Sequence, residues 1–116
     1  MDLLGMIFGK PLPSMSAAEL DEKLKNGKRP MVVDVRQPGE YRSGHIAGAK
    51  LIPLNDLGRR MKELPQGREI VCVCASGNRS SSATRMLTGA GYNAINMKGG
   101  MAAWRSAKLA VKKGDS

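Results

Sequence analysis

The chain is short of most residue types that bind by stacking, stapling or metal capture. Its 116 residues include four aromatics (Phe8, Tyr41, Tyr92 and Trp104), two cysteines and one histidine, His45. Cys72 and Cys74 are one residue apart, too few for a disulfide framework. On an extended strand such neighbours also sit at the upper distance limit for a bond. A reducing, cytoplasmic setting is therefore expected. No cysteine or histidine cluster has zinc-ligand spacing, and the eight methionines contain no close Met-x-Met pair, so no metal or other cofactor is expected. Long apolar runs are missing too. The stretch Met1–Phe8 falls far short of the roughly 20 residues that span a bilayer, and it lacks the basic lead-in and cleavage site of a secretory signal. It reads as a loose tail, or a strip packed on the domain, within residues 1–13. No membrane association is expected, and residues 14–116 form a single domain.

Acidic residues are scarce, 10 against 19 lysines and arginines, for a net charge of +9. The excess suggests a nucleic-acid partner. The basic residues are scattered, however, and neither basic blocks nor stacking platforms occur, so nucleic acid is not expected. A diffuse positive field suits the steering of small anions, or plain solubility.

Punctuation along the chain predicts alternating strands and helices. Ser16 and Glu19 form a capping-box pattern, and Ala17, Leu20 and Leu24 share a helical face up to the Asn26-Gly27 stop. Met31–Val35 reads as a buried strand, Arg36–Gly39 as a turn, Glu40–Ser43 as one helical turn, and Lys50–Ile52 as a second strand. Asn55 or Asp56 is expected to cap a helix to about Leu64. Glu69–Val73 is the central strand. A helix beyond it shows Ala83, Met86, Leu87 and Ala90 at one-face spacing, followed by a strand at Asn93–Met97 and a last helix opened by Gly99-Gly100. This alternation implies an α/β fold with a central parallel sheet and helices on both faces.

The segment from Val71 to Ser80 carries the chemistry. A strand running onto a cysteine, then a turn and a helix, leaves several N–H groups free to converge on one spot. A sulfur there is favoured as thiolate. The site is thus Cys74 with the loop Ala75, Ser76, Gly77, Asn78, Arg79 and Ser80, beyond the carboxyl end of a strand, where ligands of such sheets bind. Gly77 lets the backbone approach the sulfur or take positive φ. Arg79 adds a fixed charge suited to an anion, and Asn78 and Ser80 are loop or helix-cap hydrogen bonders.

Asp34-Val35-Arg36, Glu40-Tyr41, Gly44-His45-Ile46, Gly48-Ala49, the loop from Cys74 to Ser80, and Gly99-Gly100 with Ala103-Trp104 together resemble a single-domain rhodanese. The likeness runs in order from about Ser14 to about Ala107. It implies a rhodanese-like fold and a sulfurtransferase in which Cys74 carries sulfur as a persulfide. A small anionic donor such as thiosulfate would load it, and a thiol, cyanide or a sulfur-carrier protein would accept. The Gly-His-Ile and Gly-Gly-x-x-Ala-Trp pieces are implied to serve the fold more than the chemistry.

Several residues admit two readings. Cys72 reads as core, with a resolving thiol as its alternative. His45 is expected to hydrogen-bond backbone rather than serve as a base. Asp34 and Arg36 are expected to pair and brace the loop, although Arg36 facing a substrate is the other option. A cysteine-dependent phosphatase or arsenate reductase is the rival enzyme, since a cysteine with an arginine-ended loop also suits tetrahedral oxyanions. Such phosphatases place five residues between cysteine and arginine, whereas four separate Cys74 from Arg79. A non-catalytic binding module is the remaining alternative, and the presence of Cys74 argues against it.

Overall fold

Apolar residues run without a break through Ile70–Val73, as they must in a strand covered on both faces. This strand, β4 (Glu69–Val73), lies at the centre of a five-stranded parallel sheet in a computed structural model describing residues 11–116. The leader expected within residues 1–13 therefore lies outside the described residues, apart from its last three. The other strands are β1 (Ser14–Met15), β2 (Met31–Asp34), β3 (Lys50–Leu51) and β5 (Asn93–Met97), in the order β1-β5-β4-β2-β3. Four helices connect them, α1 (Ala17–Leu24), α2 (Pro38–Ser43), α3 (Leu54–Arg60) and α4 (Asn78–Gly89), and α5 (Gly100–Ser106) follows β5.

Strand alternation divides the core into two halves. Val71 and Val73 pack with Leu20 of α1, Tyr41 of α2, and Met101 and Trp104 of α5. Ile70, Cys72 and Cys74 point to the other face, against Leu57 of α3 and Ala83 and Leu87 of α4. Helices thus cover both faces of the sheet. Among the described residues no helix is long and apolar enough to cross a membrane.

The capping box of α1 is reciprocal: the Glu19 N–H donates to Ser16 Oγ at 3.1 Å, and the Ser16 N–H donates to Glu19 Oε1 at 3.1 Å. Elsewhere the boundaries move. Strand β2 stops at Asp34, one residue before the expected end. Helix α2 begins at Pro38, not Glu40, because proline suits the first helical position and lacks only an N–H that would go unpaired there. Pro53, not Asn55 or Asp56, precedes α3, which closes at Arg60 into a 3-10 turn at Met61–Glu63. Strand β1 has no counterpart in the sequence reading. Two residues carry too little pattern, and its place comes from pairing with β5. The buried stripe of α4 is Ser80, Ala83, Thr84 and Leu87, whereas Met86 and Ala90 are exposed. Polar residues line that stripe because their hydroxyls find partners inside.

The last helix is docked on the loop after β4. The Met101 N–H donates to the Cys74 carbonyl at 2.7 Å, and the Ala102 N–H to the Ala75 carbonyl at 3.1 Å. First-turn amides of a helix have no intrahelical acceptor, so the loop satisfies them. The approach leaves no room at Gly100. A Cβ there would lie 2.6 Å from the Ala75 carbonyl carbon and press on the Cys74 carbonyl oxygen, and φ is +57°. Gly100→Ala should therefore destabilise the fold by about 2 kcal/mol or more. Urea unfolding will show a lower midpoint with an unchanged slope; a wild-type midpoint would mean that the helix can retreat without loss.

Candidate active site

Cys74 follows the last residue of β4 and is 1% exposed. Its sulfur is nevertheless surrounded by donors. The Gly77 N–H donates to Sγ at 3.0 Å, and the Ser80 hydroxyl lies 3.3 Å away. Burial pushes the thiol pKa up. Hydrogen bonds from the Ser80 side chain and from the backbone N–H groups of Ser80, Gly77 and Ser76 outweigh it, so the net direction is below the ordinary thiol value. The peptide plane explains part of this aim. A trans peptide directs its C=O and N–H oppositely. Tying the Ala75 carbonyl to α5 therefore turns the Ser76 N–H the other way, toward the sulfur.

Gly77 supplies the turn. Its φ of +107° lies in the left-handed region, and it occupies the cap position of α4. Asn78, expected as a loop or helix-cap hydrogen bonder, is the exposed first residue of the helix, and Gly77 holds the cap position. Ser80 is fully buried one turn in. Ala75 is half-buried and Ser76 exposed, so small side chains ring the mouth.

Arg79 turns to Glu40. Its Nη1 and Nη2 donate to Glu40 Oε1 and Oε2 at 2.7 and 2.9 Å. This pairing holds the Glu40 carboxyl at about 2 and raises Arg79. The guanidinium still feels the charge on Cys74. Sequence reasoning overlooked Glu40 as a neighbour of the loop. It stands 39 residues away, and its expected places were the start of a helical turn and the Glu40-Tyr41 piece of the resemblance.

Asp34 and Arg36 form a buried pair at the end of β2. Arg36 Nη2 donates to Asp34 Oδ2 at 2.7 Å and to the Gly44 carbonyl at 2.8 Å, and Nε donates to Oδ1 at 2.9 Å. The pair ties the end of β2 to the Gly44 turn. His45 is fully buried, stacked on the Tyr41 ring at 3.6 Å, and its Nδ1 lies 2.8 Å from the Tyr41 carbonyl, to which it can only donate. None of its hydrogen bonds reaches the Cys74 loop. Cys72 is fully buried, and burial pushes its thiol up to about 11. A thiol held protonated in this way suits a core residue better than a resolving nucleophile.

One further residue of the site escaped the sequence. Asn96 of β5 is buried, and its Oδ1 accepts from the Ser80 hydroxyl at 2.6 Å. The available signal was an asparagine, a poor strand former, set between the apolar residues Ile95 and Met97.

The family model described as "Rhodanese-like domain" matches residues 16–107. A protein of Allochromatium vinosum named "Sulfurtransferase" is 34% identical over 91 residues, covering 78% of this chain and 85% of its own length. The crystal structure of a rhodanese-related protein from Thermoplasma volcanium superposes with a TM-score of 0.81 at 34% identity, covering 86% of this chain and 97% of that one. A rhodanese-like domain protein from Staphylococcus aureus gives 0.77 at 35% identity, with 80% and 91% covered.

The Glu40–Arg79 pair makes stability depend on acid. The folded carboxyl titrates near 2 against an ordinary 4.5, so its contribution is complete above about pH 4.5 and fades as pH falls toward 2. Because both side chains are about one-third exposed, the contribution is at most about 1 kcal/mol. Glu40→Gln should lose that amount at pH 7 and progressively less as pH falls below about 4.5 toward 2, as read by denaturant unfolding across that range. A gap that persists in acid would mean the carboxylate acts by something other than charge.

Proposed function

The chain belongs to the rhodanese-like domain family, and from that membership we propose that it is a sulfurtransferase working through a persulfide on Cys74. The Cys74 thiolate attacks the outer sulfur of a donor such as thiosulfate. The S–S bond of the donor breaks, sulfite leaves with the electron pair, and Cys74 holds a terminal sulfur as persulfide anion. A thiolate or cyanide then attacks that terminal sulfur, the new S–S bond breaks, and the Cys74 thiolate returns. Two displacements replace one difficult transfer.

The observation that carries this reading is the set of N–H groups around a sulfur that is almost entirely out of water. A cysteine with this exposure and no donors would remain a thiol. The same donors favour the persulfide anion, and thiol exchange runs best when the attacking sulfur ionises near the working pH. No histidine is required, in keeping with the position of His45. Four residues between Cys74 and Arg79 give a smaller cradle than a phosphoryl group with three oxygens needs. Arg79, held at the rim by Glu40, adds positive charge where the sulfonate end of thiosulfate would lie. Small side chains at Ala75 and Ser76 leave the mouth open to a small donor, and equally to a thiol presented by a sulfur-carrier protein. The positive surface favours an acidic carrier over a neutral one. A reducing cytoplasm suits two free cysteines, one of them reactive.

Intact mass spectrometry after thiosulfate treatment should show the addition of one sulfur to wild type and none to Cys74→Ser. Sulfur gained by the serine variant would move the nucleophile elsewhere, and turnover of p-nitrophenyl phosphate without any sulfur gain would make the protein a phosphatase. Arg79→Ala should raise KM for thiosulfate by about tenfold or more while kcat falls less. Steady-state kinetics at constant ionic strength will read both; a lowered kcat at constant KM would place the charge in the transition state.

A further inference from the structure

Three buried polar groups stand in a row at the base of the loop. The Cys74 sulfur lies 3.3 Å from Ser80 Oγ, and Ser80 Oγ lies 2.6 Å from Asn96 Oδ1. Ser80 has one hydroxyl proton and more than one acceptor in reach, since the Gly77 carbonyl is also 3.2 Å away. The shortest contact assigns that proton to Asn96 Oδ1, which leaves Ser80 Oγ to accept from the Cys74 thiol. This is a satisfied row for neutral cysteine. When Cys74 ionises, its proton leaves to solvent and the sulfur becomes an acceptor. Ser80 can then serve it only by turning its own proton toward Sγ. That turn would leave two oxygens with facing lone pairs at 2.6 Å, Ser80 Oγ and Asn96 Oδ1. A side-chain amide resolves the conflict, because rotating it replaces the carbonyl oxygen with an NH2 donor.

We infer that Asn96 is a positioning residue for sulfur transfer: its amide, by presenting either oxygen or nitrogen to Ser80, lets that hydroxyl serve Cys74 in both its neutral and its anionic states. The inference rests on Cys74 being the sulfur carrier, since only then does its ionisation bear on sulfur transfer. It assigns a reason for an asparagine in a central strand and for the burial of Ser80 on α4. A carboxylate at position 96 would accept but never donate, and a leucine would do neither. The ionisable groups near this row are few. Arg79 on α4 and Cys72 on β4 sense the charge on Cys74, Asp34 and Arg36 at the end of β2 are paired with each other, and Lys98 beyond β5 acts on Glu19. None of them is altered in the test.

The test is the pH profile of iodoacetamide alkylation at Cys74, followed by peptide mass, in wild type, Asn96→Leu, Asn96→Asp and Ser80→Ala, and in the Ser80→Ala/Asn96→Leu double variant. Asn96→Leu should move the midpoint up by about half a pH unit, and Asn96→Asp by about one or more, a tenfold loss of thiolate at fixed pH. In the Ser80→Ala background Asn96→Leu should add nothing, because its route to the sulfur has been removed. Wild-type midpoints in both Asn96 variants would overturn the inference, and so would a leucine effect that survives without Ser80. The two near-isosteric replacements guard against one that fails to fold. Alkylation needs no sulfur donor, so a shifted profile in a protein that takes no sulfur from thiosulfate would keep the hydrogen-bonded row and overturn its role in sulfur transfer, which separates the two failures.

Discussion

A sulfur sealed from water can bear charge only if the protein supplies the hydrogen bonds that water would have given. Cys74 meets that condition through the Ser80 hydroxyl and backbone N–H groups, and most of the surrounding architecture exists to hold that backbone. Gly77 bends it with a positive φ, the first amides of α5 grip the carbonyls of Cys74 and Ala75, and Gly100 lets the helix come close enough to grip. The contrast with Cys72 isolates the cause. Both cysteines are buried on the same face of the sheet, yet Cys72 without the amide cradle is pushed up to about 11, while Cys74 falls below the usual thiol range.

Sheet order supports this arrangement. β4 is flanked by β5 and β2, so the loop leaving it is bordered by the ends of both neighbours. From the β2 side come the Asp34–Arg36 pair and, in the short helix α2 that follows, Glu40, which holds Arg79. From the β5 side come Asn96 and the start of α5. The two sides differ in what they contribute. One anchors charges at the rim, and the other sets backbone direction and the hydrogen bond of Ser80.

Much of this was legible in the residues. Strands β4 and β5 coincide with their expected spans because β-branched and apolar residues there are bounded by glycine and proline signals. The cradle itself was readable from a cysteine, small residues and an arginine between strand and helix. What escaped depended on tertiary partners. Ser14–Met15 is a strand only because β5 offers an edge. Met86 and Ala90 fit the period of a buried face but lost it to Ser80 and Thr84, whose polarity hid them until their partners were known. Glu40 and Asn96 meet the loop from 39 and 16 residues away, beyond any local pattern.

Because main chain and the inward-facing Ser80 hydroxyl condition the Cys74 sulfur, the outward groups of Ala75, Ser76 and Asn78 are released from that duty. Reactivity and selectivity are thereby written in separate alphabets. Drift at those three surface positions can retailor which molecule fits the entrance while the sulfur beneath keeps the same hydrogen bonds. A scaffold arranged in this manner lends itself to diversification, one reactive centre serving many clients through cosmetic changes at its doorway.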